Sequence, residues 1–198
     1  PIQDVFQQVN KRFALLEESD PEKLKDSKWM KKNLPFTGEL FLGHLRYGTF
    51  GGNTIEQCHP FLRQNNWKTR NLVLAGNFNM TNVDELFEQL VDIGQHPKQM
   101  ADAVTILEKI GHFLDEANDE IYYKHKDRFT KKEITKVIQQ ELNIQQILTN
   151  SAKYWDGGYL ICGLFGHGDA FALRDPNAIR PAYFYKDEEV VVVASERP

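Results

Sequence analysis

The sequence predicts an α+β fold, in which helices pack against mostly antiparallel β-sheets. Two observations lead to this prediction. Residues 100–155 place apolar side chains at the spacing of amphipathic helices, whereas residues 159–194 consist of short aromatic and β-branched segments separated by Gly, Asp, Pro and Asn turns. Strand-like segments also precede the helices, so the order is strands, helices, strands. The length of 198 residues fits one domain, residues 1–198.

The N-terminal region predicts one helix and one strand. Residues 2–17 carry apolar side chains at helical spacing and therefore predict an amphipathic helix. Residues 19–35 are charged and predict a loop. Residues 39–47 predict a strand that ends in the glycine-rich turn of residues 48–52.

The central region predicts a short strand followed by helices. Residues 71–75 predict the strand, and the polar residues 76–82 predict a turn. Asn82 and Glu85 have the spacing of a capping box, which begins a helix that Gly94 ends. Three further helices are predicted at residues 101–123, 130–142 and 144–154, the second of them opened by a capping box of Thr130 and Glu133.

The C-terminal region predicts an antiparallel meander, because short apolar segments alternate with turn residues. Its four strands are predicted at residues 159–165, 170–174, 182–185 and 189–194.

Charge and cysteine content exclude several classes of protein. Lys and Arg total 24 against 28 Asp and Glu, a net charge of −4, which argues against nucleic-acid binding. No apolar run approaches the roughly 18 residues of a membrane helix. Cys58 and Cys162 are the two cysteines, too few for a disulfide scaffold or a cysteine zinc cluster, and they suit a reducing cytoplasm. The six histidines lack zinc-site spacing, so no metal site is predicted.

Neither cysteine is predicted to be a nucleophile. Cys58 is followed by His59, but neighbouring residues of an extended chain point in opposite directions, which disfavours a hydrogen-bonded Cys–His pair and favours a loop thiol. Cys162 lies within an apolar strand, where we expect it to act as a small core side chain.

Three runs carry the residues best suited to chemistry. Residues 43–51 read Gly-His-Leu-Arg-Tyr-Gly-Thr-Phe-Gly, in which Arg46 suits either carboxylate binding or a structural ion pair. Residues 74–82 read Leu-Ala-Gly-Asn-Phe-Asn-Met-Thr-Asn, which suits either an oxyanion hole or an ordinary turn. Residues 168–181 read Gly-Asp-Ala-Phe-Ala-Leu-Arg-Asp-Pro-Asn-Ala-Ile-Arg-Pro, which predicts strand, turn and strand without requiring catalysis.

In this order the three runs resemble the glutaminase domain of amidophosphoribosyltransferases, which are class II glutamine amidotransferases with an N-terminal nucleophile. The family's Gly-His-x-Arg-Tyr-[Ser/Gly]-Thr-x-Gly run matches residues 43–51. Its Ala-His-Asn-Gly-Asn-Leu-Thr-Asn run resembles residues 75–82, and its Ala-Phe-Arg-Asp-Pro-Asn-Gly-Ile-Arg-Pro run matches residues 172–181. The resemblance covers residues 39–198 and implies a four-layer αββα sandwich with mostly antiparallel sheets, incomplete at its N-terminus.

The resemblance implies an oxyanion hole formed by the Asn77 amide and the backbone N–H of Phe78. Phe78 replaces the family's glycine and Gly76 replaces its histidine, so the sequence belongs to a divergent branch. The N–H of Phe78 keeps its direction only if φ is negative there. Ala178 replaces another glycine, with the same requirement.

The resemblance also implies a pocket for glutamine. Arg46 would bind the α-carboxylate, and Tyr47 and Thr49 would complete the pocket. Asp102 would bind the α-ammonium group, with an N-cap for the following helix as its alternative role.

The implied function is the glutaminase half of an amidophosphoribosyltransferase, in which glutamine hydrolysis supplies ammonia for phosphoribosylamine in purine biosynthesis. The family's catalytic cysteine is N-terminal, so we expect it upstream of Pro1 and expect the isolated chain to be inactive. A downstream phosphoribosyltransferase domain would use Mg and phosphoribosyl pyrophosphate, and no cofactor is expected in this domain. The parent protein is expected to be a cytoplasmic homo-oligomer that contacts neither nucleic acid nor membrane.

Two alternatives remain open. The chain could be a non-catalytic regulatory or assembly module of N-terminal-nucleophile type, or part of another class II amidotransferase such as the glucosamine-forming type.

Overall fold

The computed structural model describes residues 2–45, 58–97 and 101–197, and its contacts divide the chain into two units, Pro1–Phe41 and Leu42–Pro198. The predicted α+β class is confirmed, and every strand pair in the described residues is antiparallel. The helices are α1 (Ile2–Ser19), α2 (Ser27–Asn33), α3 (Val83–Asp92), α4 (Asp102–His125), α5 (Lys131–Glu141) and α6 (Ile144–Ala152). The strands are β1 (Phe61–Arg63), β2 (Leu72–Met80), β3 (Gly157–Phe165), β4 (Ala170–Arg174), β5 (Tyr183–Lys186) and β6 (Val191–Ala194).

The first unit is helical. Its helix α1 confirms the prediction for residues 2–17, but the loop predicted at residues 19–35 is wrong. A 3₁₀ helix occupies Pro21–Lys25, and α2 follows it. The Asp26 carboxylate begins α2 by accepting hydrogen bonds from the backbone N–H groups of Lys28 and Trp29, both at 3.0 Å. A single capping side chain therefore organises a segment whose charged composition had suggested a loop.

Residues 39–45 form no strand, so the strand predicted at residues 39–47 is wrong over its described part. Leu40, Phe41 and Leu45 are all exposed. Apolar residues are stabilised as a strand only when a neighbouring strand and an apolar face bury them, and no described strand pairs with this segment.

Strands β1 to β4 form one sheet in the order β1-β2-β3-β4. β2 and β3 pair at nine positions, from Leu72 opposite Phe165 to Met80 opposite Gly157. The predicted end of β2 at Ala75 is therefore wrong, since the polar residues that follow continue the strand. Pairing with β3 satisfies their backbone groups and overrides their preference for turns.

Helices of the second unit cover the face of the sheet that carries Leu72 and Leu74. The long helix α4 contributes the centre of this core through Ile106, Ile110 and Leu114, which are fully buried. The sheet and its helices are two of the four layers predicted. The buried core side chains are Leu72, Leu74, Met80, Leu86, Ile106, Leu107, Ile110, Leu114, Ile147, Leu148, Tyr159, Ile161 and Phe165.

Helix α5 begins with the predicted capping box of Thr130 and Glu133. Helix α3 begins after Asn82 as predicted, but its predicted capping box with Glu85 does not form. The Asn82 side chain instead donates to the carbonyl of Tyr154 (2.8 Å) and accepts from the N–H of Asp156 (3.2 Å). Asn82 thus ties the start of α3 to the segment before β3, a contact that local spacing does not reveal.

The four predicted C-terminal strands are present, and β4 has the predicted bounds. They do not form one meander as predicted, because β3 and β4 belong to the four-stranded sheet, whereas β5 and β6 form a separate two-stranded sheet within the described residues. The segment from Arg174 to Arg180 folds into a hydrogen-bonded turn between the two pairs.

An ion-pair cluster joins β1 to α4. The Arg63 guanidinium contacts Glu108 Oε2 through Nε (3.1 Å) and Asp115 Oδ2 through Nη2 (2.6 Å). Gly111 lies against this guanidinium, because a Cβ at Gly111 would be 2.3 Å from Arg63 Nε. The present position of the Arg63 side chain therefore depends on the absence of a Cβ at residue 111.

Candidate active site at the open edge of the second strand

Beyond Leu74, where pairing with β1 ends, no strand of the described residues pairs with the outer edge of β2, and we call this stretch the open edge. In an antiparallel strand the N–H groups of alternate residues point to the same edge. The N–H of Gly76 donates to Nδ1 of His59 (3.3 Å), and the N–H of Met80 donates to Oδ2 of Asp102 (3.1 Å). Phe78 lies midway between these two residues, so its N–H points to the same open edge.

Asn77 lies in β2 opposite Leu160 of β3, and its side chain is exposed. The alternative in which this segment is an ordinary turn is therefore wrong. Side chains alternate along a strand, so Asn77 lies on the face opposite Phe78, whose ring packs against the core. The amide of Asn77 makes no hydrogen bond to the described residues, which leaves it able to donate to a ligand.

Two positions test the effect of losing a family glycine. Phe78 has no positive φ, so the requirement for its N–H direction is met. Ala178 has φ of 55°, a left-handed conformation that favours glycine. Ala178 therefore adopts a conformation that its Cβ disfavours, which stores strain in the turn after β4.

Asp102 begins α4, but it does not cap that helix. The N-cap residue is Ala101, so the alternative role predicted for Asp102 is wrong. Its carboxylate bonds to the edge of β2 instead, through Oδ2, and Oδ1 makes no hydrogen bond to the described residues. A carboxylate at the first turn of a helix is also favoured by the helix dipole.

His59 is the residue of this edge that sequence reasoning missed. Its ring stacks on His44 at 4.3 Å between centroids and lies 5.6 Å from the ring of Phe78. The adjacent Cys58 is exposed, as the loop-thiol interpretation predicts. The register of β1 on β2, continued by two positions, brings residue 59 opposite Gly76, so pairing rather than local sequence identifies it.

Arg46, Tyr47 and Thr49 lie outside the described residues. Of the six predicted site residues, the structure therefore brings together Asn77, Phe78 and Asp102. Burial raises the pKa of the Cys162 thiol, in agreement with its predicted core role.

Residues 2–45, 58–97 and 101–197 contain no group of three or more His, Cys, Asp or Glu side chains placed to hold a metal ion. None of the helices in these ranges is long and apolar enough to span a membrane.

A family model described as glutamine amidotransferases class-II matches residues 4–150. The chain belongs to this family. The match extends further towards the N-terminus than the motif resemblance, since it includes α1 and α2.

Curated relatives of this class II amidotransferase are named amidophosphoribosyltransferase. The protein of Methanocaldococcus jannaschii is 25% identical over 80% of this chain and 28% of its own length. That of Pasteurella multocida is 29% identical over 79% of this chain and 27% of its own length. The chain thus spans between a quarter and a third of the length of these relatives.

Two solved structures are similar to the class II domain. One, described as the allosteric regulatory enzyme of purine biosynthesis, has a TM-score of 0.53 at 25% identity and covers 77% of this chain and 27% of its own. Glutamine phosphoribosylpyrophosphate amidotransferase of B. subtilis, complexed with ADP and GMP, has a TM-score of 0.51 at 23% identity, covering 77% of this chain and 26% of its own. The second likeness concerns the fold alone.

Proposed function

We propose that this chain is the glutamine-hydrolysing domain of an amidophosphoribosyltransferase, which releases ammonia for the synthesis of phosphoribosylamine. The observation that supports this function best is the open edge of β2. There the N–H of Phe78 points outward, next to the Asn77 amide and the Asp102 carboxylate. These groups suit a substrate with a polar carbonyl and an ammonium group.

In this proposal the carboxamide oxygen of glutamine receives hydrogen bonds from the Asn77 amide and the Phe78 N–H. The thiolate of an N-terminal cysteine attacks the carbonyl carbon, and the two donors stabilise the negative charge that develops on oxygen. The N-terminal amine of that cysteine carries the proton taken from the thiol and gives it to the leaving nitrogen, which departs as ammonia, and water then hydrolyses the thioester to give glutamate. Cys162 does not suit the nucleophilic role, because burial raises the pKa of its thiol and so disfavours the thiolate.

Asp102 serves two partners in this mechanism. Its Oδ2 holds the N–H of Met80, and its Oδ1 accepts a hydrogen bond from the α-ammonium group of glutamine. The α-carboxylate is assigned to Arg46, with Tyr47 and Thr49 completing the pocket.

Calorimetric titration of the full chain with L-glutamine tests this assignment. Asp102→Asn keeps an oxygen that accepts from Met80 but loses the charge that attracts an ammonium group, so we expect the Kd to rise at least about tenfold. Asp92→Asn, which removes an exposed carboxylate at the end of α3, is the matched control and should leave the Kd unchanged. A chain that does not bind glutamine would favour the non-catalytic module instead.

The glutaminase reaction itself belongs to the complete domain in this proposal. The isolated chain should release no glutamate from glutamine, because neither of its two cysteines, Cys58 and Cys162, is predicted to be the nucleophile. Glutamate release that disappears in Cys58→Ala would contradict the proposal and make Cys58 the nucleophile.

The remaining parts of the proposal concern the longer protein. Ammonia would pass to a phosphoribosyltransferase domain that uses Mg and phosphoribosyl pyrophosphate, in a cytoplasmic homo-oligomer. The names of the curated relatives support this over the glucosamine-forming type. Ammonia-dependent consumption of phosphoribosyl pyrophosphate, rather than of a hexose phosphate, is the result expected of the longer protein.

A further inference from the structure

The turn that follows β4 is organised by one buried carboxylate. Asp175 is 3% exposed and accepts hydrogen bonds from three backbone N–H groups, those of Ile179 (2.8 Å), Arg180 (3.1 Å) and Tyr159 (3.2 Å). Tyr159 lies opposite Phe78 in the pairing of β3 with β2. Asp175 therefore fixes the turn against the strand that backs the candidate oxyanion hole.

The first arginine of this turn has a structural role. Arg174 donates through Nε to the carbonyl of Arg180 (2.5 Å) and through Nη2 to the carbonyl of Ala178 (2.9 Å). The peptide groups on both sides of Arg180 are thus held, its N–H by Asp175 and its carbonyl by Arg174. The position of the Arg180 Cα is fixed before any ligand binds.

The side chain of Arg180 lies on the same face of the sheet as Asn77. A Cβ at Gly158 would be 3.7 Å from Arg180 Cγ and 2.7 Å from Ile179 Cγ2. Gly158 and Leu160 are two residues apart in β3 and share a face, and Leu160 is the register partner of Asn77. Arg180 therefore lies over the sheet at Gly158, which is two residues, or about 7 Å along the strand, from the pair formed by Asn77 and Leu160.

The guanidinium of Arg180 has no protein partner in the described ranges. Its Nε is buried without a hydrogen bond, and no described carboxylate lies within ion-pair distance. A buried donor without an acceptor costs free energy, more so in a charged group. The guanidinium of Arg174 donates to two backbone carbonyls, whereas that of Arg180 donates to no described residue. This difference indicates that the Arg180 guanidinium is able to bind an acceptor that a ligand supplies.

We infer that Arg180 is a carboxylate-binding residue on the Asn77 face of the sheet. The inference rests on the proposed function, in which the ligand is the glutamate formed there. Hydrolysis converts the neutral side-chain carboxamide of glutamine into the carboxylate of glutamate. A guanidinium binds this carboxylate more strongly than it binds the carboxamide. Arg180 thereby makes the site distinguish product from substrate, because it retains glutamate more strongly than it binds glutamine.

Calorimetric titration of the full chain with L-glutamate and with L-glutamine, in parallel, tests this inference. Arg180→Gln should raise the Kd for glutamate at least about tenfold and that for glutamine less than about threefold. Lys186→Gln, which removes an exposed positive charge in β5, is the matched control and should change neither Kd. Arg180→Lys, which keeps the charge without the planar fork, should give a smaller rise for glutamate.

The outcomes separate the inference from the proposed function. A chain that binds glutamine, but binds glutamate equally well with or without Arg180, overturns the inference alone. An equal rise in Kd for both ligands also overturns the inference. Arg180 would then either contact a group that glutamate and glutamine share or stabilise the fold. A thermal melt of each variant distinguishes these two cases. A chain that binds neither ligand overturns the proposed function and the inference together.

Discussion

The two halves of β2 belong to one strand but differ along their outer edge. From Leu72 to Leu74 the strand is paired on both sides, by β1 and by β3, and its core side chains are fully buried. From Gly76 to Met80, β3 is the one described strand that pairs with it, and the outward N–H groups of Gly76 and Met80 donate to the side chains of His59 and Asp102. A closed edge makes the first half structural, whereas an open edge makes the second half able to bind.

The largest effect on folding is expected in the closed half. Leu74→Ala removes a fully buried side chain and leaves a cavity, so the free energy of unfolding should fall by about 2–5 kcal/mol. Urea denaturation measures this change. Asn79→Ala, an exposed position in the open half, should change it by less than about 0.5 kcal/mol. Similar losses for the two variants would remove the distinction between the halves.

In the open half we expect catalysis to change more than stability. Asn77→Ala, in a protein that carries the complete domain, should lower kcat for glutamine hydrolysis by about 10²–10³, because an oxyanion donor acts mainly when charge is on the oxygen. Steady-state kinetics and a thermal melt of the same variant provide the test, with Asn79→Ala as the neighbouring control. An unchanged kcat with a lowered Tm would make Asn77 a structural residue.

On the β3 side of the open half, Asp175 should make the free energy of unfolding depend on pH. Burial alone would raise the pKa of this carboxyl, but the N–H groups of Ile179, Arg180 and Tyr159 hold it below the ordinary value. Its contribution to stability is therefore complete above the pKa of the unfolded chain and is lost as pH falls through the folded pKa.

Urea unfolding across acidic pH measures this contribution. Asp175→Asn should be less stable than the wild type at neutral pH, and its stability should fall less on acidification. Asp92→Asn, at an exposed position, should follow the wild-type pH curve. A wild-type slope in Asp175→Asn would show that another group is responsible.

The smallest effect concerns the strained residue of the same turn. Ala178→Gly should raise the free energy of unfolding by about 0.5–1 kcal/mol, since glycine adopts the left-handed conformation without the steric cost of a Cβ. Ala117→Gly, within α4, should instead lower it by about 1 kcal/mol. Thermal or urea unfolding of both variants measures these changes. A lower free energy of unfolding for both variants would mean that Ala178 is not strained.

The sequence correctly predicted those helices and strands that depend on residues close to one another in the chain. The capping box at Thr130 and the β4 segment at Ala170–Arg174 were correct, because neither depends on a distant partner. The extension of β2 through Asn77 was missed, because polar residues favour turns unless another strand pairs with them. The strand predicted at residues 39–47 was wrong over its described part for the converse reason, since its apolar residues have no partner strand among the described residues.

The same limit applies to the site. Asn77, Phe78 and Asp102 were predicted from motif resemblance, but the bond from Met80 to Asp102 joins residues that lie far apart in the sequence. The contact of His59 with Gly76 depends on strand register, and the position of Arg180 depends on the hydrogen bonds of Arg174 and Asp175 to its backbone. Such properties belong to the folded arrangement, and residue type alone does not encode them.

The close contact between Gly111 and Arg63 places a glycine of α4 directly beneath the ion pairs that join this helix to β1. Gly111 lies nine residues after Asp102 on the same helix, about 13.5 Å along its axis. A side chain at position 111 would meet the Nε and Cδ atoms of Arg63, so the Arg63 side chain would have to move and change its contacts with Glu108 and Asp115. Because Glu108 and Asp115 lie on the same helix as Asp102, position 111 links the packing of β1 to the helix that carries this carboxylate.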